Sequence, residues 1–197
     1  MPRPRRLPAP YDSGAFAVRD AKGDKVPMSS VRALVNPFRG VRAHEAPETI
    51  AERFAMLELV RPGMTLSHCT AALVHGLPVP ERCDHEALHV TTDGPRTLLA
   101  GTVCHRRTRT AVRVRGLPLT TLADTWIDLG PFVGLADLVV LGDAVAQRLG
   151  SVDPLHRILG RRVPGVLRAR EALRWGPRGE IGCSLELPGE PLRGCGA

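Results

Sequence analysis

Residues 67–80 read SHCTAALVHGLPVP. Ser67 is a favoured helix N-cap, and Gly76 followed by Pro78 is a stop, so the spacing predicts a helix running to about His75. The next segments have a different character. ALHVTTD (87–93) and TVCHRRT (102–108) are short, β-branched and bounded by turn residues, which predicts two strands, with AVRVRG (111–116) as a third. Thr121, with Asp124 three residues on, has the capping-box form and opens a helix TLADTWIDL. Leu135, Leu138, Gly142, Val145 and Leu149 then share one helical face. Asp153-Pro154 has the form of an N-cap and first helical residue, and Pro164 opens a last helix ending near Trp175. Helices, then a few strands, then helices make an α+β chain rather than an alternating βαβ one.

On the N-terminal side, Pro47 suits the first turn of a helix and Glu48 complements its positive end. Ile50, Phe54 and Leu57 form one apolar stripe after it, and Gly63 marks the stop. Residues 11–45 carry weaker helical signals and end in NPFRGVRA, read as a small helical unit closed by a short strand. Residues 1–10 are basic and Pro-rich and read as a disordered arm. The resulting division is an arm (1–10), a helical segment (11–45), an α+β domain (46–175) and an irregular tail (176–197). The tail is rich in Gly and Pro and has no period. It is expected to be a truncated or out-of-frame end, with Cys183 and Cys195 reactive toward thiol reagents.

The chain has 197 residues, 27 basic and 20 acidic, for a formal net charge of +7. Only Lys22 and Lys25 are lysines, so 25 of the 27 basic residues are Arg. GC-rich coding inflates Arg, but the charge remains and favours polyanionic partners. Aromatics make up 4% of the sequence, too few for a base-stacking platform of the single-strand-binding kind. The most apolar stretch, LADLVVLGDAVA, is interrupted by Asp137 and Asp143 and is too short to span a bilayer. With no apolar run behind the basic N-terminus, a cytoplasmic location and reduced thiols are expected.

The stretch 67–80 and its surroundings hold His68, Cys69, His75, Cys83, His85, His89, Cys104 and His105. A helix carrying His68 and His75 would set their backbones roughly 10 Å apart along its axis, at ~1.5 Å per residue, too far for one ion. Cys83, His85, Cys104 and His105 lack CxxC or HxxxH partners. No bound metal and no cofactor are therefore expected, and no catalytic Cys/His pair. Asp124 and Asp128 stand at i, i+4, a spacing open to carboxylate metal ligands, but the capping role accounts for Asp124. Phosphate-loop, GxSxG and GxGxxG signatures are absent, as is any lysine beyond Lys25. An enzyme is not expected, and no catalytic residue is assigned.

The segment SHCTAALVHGLPVP resembles the "SH-x-TAA-x-x-x-G-x-P-x-P" segment of a large group of actinobacterial proteins similar to AbiEi-type antitoxins of type IV toxin–antitoxin systems. NPFRGVRA, ALHVTT, VRGLPLTTLADTWIDLG and GLADLVVLGDAV fall in the family's order, and the match covers about residues 34–175. The resemblance implies a degenerate winged-helix-like start (11–45) before an antitoxin-like α+β domain (46–175). Most members continue into a Vsr-like, PD-(D/E)XK-type endonuclease domain, which has no counterpart in this sequence.

The function expected is a non-catalytic antitoxin-like or regulator-like module. Its expected partners are duplex DNA or a cognate toxin or nuclease, and no membrane. The alternative is the front part of a nuclease-family protein without its catalytic domain. Arg suits phosphate because its fork donates two hydrogen bonds. The residues singled out for nucleic-acid contact are Arg39, Arg42, Arg106, Arg107, Arg161, Arg162 and Arg168. Arg3, Arg5, Arg6, Arg109, Arg170 and Arg174 stand behind them.

Overall fold

The computed structural model describes residues 6–176 except 82, 84, 85, 97 and 98. The tail expected to be irregular, with Cys183 and Cys195, lies almost wholly outside the described residues, as do Arg3, Arg5 and His85. The chain is α+β, with a five-stranded mixed sheet, a separate two-stranded sheet and eight helices among the described residues.

The N-terminal unit holds β1 (Ala15–Ala17), α1 (Val18–Gly23), α2 (Met28–Arg32) and β2 (Val41–Ala43), with β1 and β2 antiparallel. Its small core gathers Leu7, Tyr11, Phe16, Ala21, Val26 and Val31. Leu7 falls in the stretch expected to be a disordered arm, yet it is buried. One apolar side chain that can join a preformed aromatic pair, Tyr11 edge-on to Phe16 at 5.0 Å, is enough to draw the arm's end in. The Tyr11 hydroxyl donates to Asp24 at 2.5 Å, and that hydrogen bond to a carboxylate pushes the phenol pKa up to about 12.

The next helix, α3 (Ile50–Glu58), begins later than Pro47 suggests. Thr49 is the N-cap, and Thr49 with Glu52 forms a reciprocal capping box that satisfies backbone donors at the helix start. The backbone bonds to Glu52 hold its carboxylate below the ordinary range. Phe54 and Leu57 bury the predicted stripe.

The main sheet has the order β5-β4-β3-β7-β6. Its strands are β3 (Thr65–Leu66), β4 (Leu88–Thr92), β5 (Thr102–Arg106), β6 (Ala111–Val114) and β7 (Leu117–Thr120). β4 pairs β5 in parallel and β3 antiparallel; β3 pairs β7 in parallel, and β6 pairs β7 antiparallel. The three strands expected from the sequence are present, and β3 and β7 join them. The β6–β7 hairpin turns on Arg115 and Gly116, both at positive φ (51° and 82°). Two successive left-handed residues fit the right-handed twist of the paired strands, which is why Gly is useful there.

One face of the sheet packs Leu66, Leu88, Val90 and Leu119 against Phe54 and Leu57 of α3. Helix α4 (His68–His75) follows β3 directly and packs against β4 and against α5 (Leu122–Leu129). The remaining helices, α6 (Leu135–Leu149), α7 (Asp153–Ile158) and α8 (Val166–Trp175), build a second core around Trp126, Leu138, Leu141 and Leu155. Trp126 is fully buried and donates its indole N–H to the Leu138 carbonyl at 2.9 Å. A Cβ at Gly142 would stand 3.2 Å from that indole nitrogen, so the glycine on the α6 face is what lets the ring lie against the helix. Asp153 is the first residue of α7, with Val152 as the cap, one position earlier than its sequence form suggests.

Thr121 caps α5, accepting from the Asp124 N–H at 3.1 Å. Thr121→Ala should lower unfolding stability by about 1 kcal/mol. Denaturant unfolding checks this, and an unchanged midpoint would show that the cap is not needed.

Candidate functional site

Three histidines from three elements meet beside the N-terminus of α4. His68 opens α4, His89 is in β4 and His105 is in β5. The parallel register sets Thr91 opposite His105 and His89 opposite Val103, which puts His89 and His105 on the same face of the sheet. Ser67, just after β3, donates its N–H to the His89 carbonyl, and Thr70 Oγ1 accepts from the His89 N–H at 2.8 Å. These bonds fix α4 to β4 where His68 and His89 come together.

The rings of His68 and His105 stack at 3.5 Å between centroids, with a 14° tilt. His89 Nδ1 and His105 Nε2 are 3.3 Å apart, so one ring donates to the other. One nitrogen from each of the three rings lies within 4.8 Å of the other two. Phe132 stands edge-on to His68 and His105 and is itself half exposed. His68 is fully buried, with a backbone φ of +48°, a conformation that β-carbon sterics disfavour. Its Nδ1 bonds Ser67 Oγ at 3.0 Å, while its Nε2 is buried without a hydrogen-bond partner. Ser67 is thus the N-cap by position, but its hydroxyl serves the imidazole rather than the helix N–H groups.

Burial is the main reason the His68 pKa falls to about 2, with His105, His89, Arg107 and Arg109 adding to it. Burial likewise lowers His105 to about 4, helped by His89, Arg107 and Arg96. At neutral pH both rings are neutral, each with a nitrogen lone pair available.

An Arg/Asp cluster adjoins the histidines. Arg107 Nη1 donates to Asp128 at 3.1 Å, and Arg109 grips the same carboxylate with two bonds, 3.1 and 2.5 Å. Arg109 also lies 3.6 Å from Asp124, which takes a 2.6 Å bond from Arg161 and a 2.8 Å bond from the Thr121 hydroxyl. The Asp128 side chain is 0% exposed and that of Arg109 only 5%. Burial disfavours the Arg109 charge, but hydrogen bonding and attraction from Asp128, with Asp124, outweigh it and raise its pKa. The helical i, i+4 spacing of Asp124 and Asp128 therefore presents both carboxylates to arginines.

The arginines singled out from the sequence differ in their surroundings. Arg107 and Arg161 are bound into the carboxylate cluster. Arg168 donates to the Val133 carbonyl at 2.9 Å, and Arg170 to that of Leu159. Arg42 is half-buried, bonded to Asn36 and to the Val41 carbonyl. Arg39, Arg106 and Arg162 are exposed, as are Arg6 and Arg174.

The histidine pairings weighed from the sequence are not the ones the fold makes. His75 is apart from the cluster and donates to the Thr120 carbonyl at 2.9 Å. Cys69 and Cys83 are buried and Cys104 is half-buried; none of the three joins the histidines. No protein-family model matches the chain, and no curated protein matches it either. Among the described residues, no helix is long and apolar enough to cross a membrane.

Proposed function

We propose that this chain is a non-catalytic, antitoxin-like or regulator-like module of the cytoplasm that binds duplex DNA. The observation that carries the reading is the distribution of charge. The buried carboxylates Asp124 and Asp128 are already occupied by Arg107, Arg109 and Arg161. Most of the +7 excess is therefore left outside this cluster, with exposed arginines such as Arg39, Arg106 and Arg162 among its carriers. A surface of that kind attracts phosphate without reading sequence. The same occupation argues against Asp124 and Asp128 as metal-binding carboxylates of a nuclease centre.

In this reading the unit of α1, α2 and the β1–β2 pair is a degenerate winged-helix-like start, and the five-stranded sheet with its helices is the antitoxin-like domain. A cognate toxin or nuclease is the other partner of the same module. Binding to DNA is expected to be weak and electrostatic, because α2 is only five residues long and offers little for a recognition helix. Fluorescence anisotropy with a labelled duplex at several salt concentrations tests this. Each phosphate contact should contribute roughly −0.9 to the slope of log K against log salt. Equal binding at low and high salt, or none at low salt, would overturn the reading.

A further inference from the structure

We propose that His68, His89 and His105 form a binding site for a divalent transition-metal ion of the zinc class. The site is independent of the DNA reading and rests on different residues.

Three imidazoles are a ligand set that suits Zn2+ and its first-row neighbours and does not suit Mg2+ or Ca2+. Their ligand nitrogens lie within 4.8 Å of one another. The 3.3 Å between His89 Nδ1 and His105 Nε2 matches the roughly 3.3 Å that separates two nitrogens on a tetrahedral ion with ~2.0–2.1 Å bonds. For both facing nitrogens to ligate, the ring that donates this bond would carry its proton on its other nitrogen instead.

His68 supplies the third donor. Its Nε2 is buried without a hydrogen-bond partner, an arrangement that is unfavourable unless something compensates it. Its other nitrogen is held by Ser67 Oγ at 3.0 Å, the outer-shell contact that fixes the tautomer and ring plane of a ligating histidine. The positive φ of His68 is a second cost accepted at the same residue, and it accompanies a ring placed among the other two.

Arg107 and Arg109 work against a cation here, and Asp128 and Asp124, bonded to those guanidiniums, offset them. The stacked rings of His68 and His105 must splay to converge on one ion. Phe132, edge-on to both and half exposed, is the neighbour that can yield, and half-buried His105 gives the approach from solvent. Three protein ligands leave one position of a tetrahedral ion for water or an external ligand.

The test is a Co2+ titration of the full chain after chelator treatment, read by visible ligand-field bands, with Zn2+ as competitor. One ion per chain with the bands of a four-coordinate site is expected, displaced by Zn2+. His105→Gln should weaken binding by more than about 100-fold, and Ser67→Ala by about 10–100-fold. His75→Gln should leave it unchanged. Far-UV circular dichroism checks that each variant is folded; should His105→Gln fail to fold, Ser67→Ala decides. Absence of a saturable band overturns the proposal. So does binding that survives both His105→Gln and Ser67→Ala, or binding lost with His75→Gln.

Discussion

Asp128→Ala is expected to cost about 3–5 kcal/mol of unfolding stability, which is a large part of what a domain of this size has. Asp128 is fully buried and accepts from Arg107 and, twice, from Arg109. Removing it leaves the Arg109 guanidinium, 5% exposed, with Asp124 at 3.6 Å as its remaining carboxylate among the described residues. A buried cation that has lost its counter-charge is expensive, because its lost hydration is no longer repaid. The contrast is the Arg19–Asp20 pair, whose side chains are 69% and 58% exposed. Asp20→Ala should cost less than about 1 kcal/mol. Urea unfolding of both variants makes the comparison. Similar small losses in the two would mean that the Asp128 cluster contributes little, and the description of a charged core would be wrong.

The metal-free protein should also lose stability steeply below neutral pH. His68 has an ordinary pKa of 6.5 when unfolded and about 2 when folded, and His105 falls to about 4. Between those values the unfolded chain binds protons that the folded chain refuses. Stability is therefore fully present above about pH 6.5 and declines as pH falls, through about 4 for His105 and on toward about 2 for His68. At pH 5 the unfolded pKa lies about 1.5 units above the pH, so His68 alone should account for roughly 2 kcal/mol at about 1.36 kcal/mol per unit. Half-exposed His105 adds a smaller amount, since solvent screens it. Most carboxylates stay ionised at pH 5, so the window belongs mainly to histidine. Chelator-treated protein unfolded in urea at pH 7.5 and pH 5 gives the measurement, with His68→Gln flattening the difference. Equal midpoints at the two pH values would contradict the burial of a neutral imidazole.

Local signals made much of this fold legible. The stops at Gly76 and Pro78, the stripe of Phe54 and Leu57, and the β-branched runs around His89 and Val103 each specify an element within its own few residues. Thr121 does so too, through a side-chain cap that needs no distant partner. β7 escapes a reading from sequence because Pro118 in Leu117–Thr120 argues against a strand, having no N–H to donate. It is tolerated opposite Arg113 in the hairpin. β3 is two residues long, too short to carry a period.

The site was less legible, for a physical reason. His68, His89 and His105 come from a helix start and two strands, and they meet only through a parallel pairing of β4 and β5 that no local pattern specifies. Helical spacing tests His68 against His75, and the fold sends His75 elsewhere. The Arg/Asp cluster did leave a trace. Arg107 and Arg109 stand two residues apart just after β5 and both reach Asp128, and Asp124 and Asp128 share one face of α5, so closely spaced opposite charges were there to be paired. A basic count alone does not reveal that Arg107 and Arg161 are held by carboxylates while Arg39, Arg106 and Arg162 are exposed.

The most direct test of the binding account compares the wild type with the triple variant Arg39→Gln, Arg106→Gln, Arg162→Gln on the same labelled duplex across a salt series. Exposed arginines of this kind should be dispensable for folding, so the thermal midpoint should hardly move. The account predicts weaker binding for the variant and a log–log salt slope smaller by roughly 0.9 for each phosphate contact removed. Identical affinity and slope in the two proteins would contradict it.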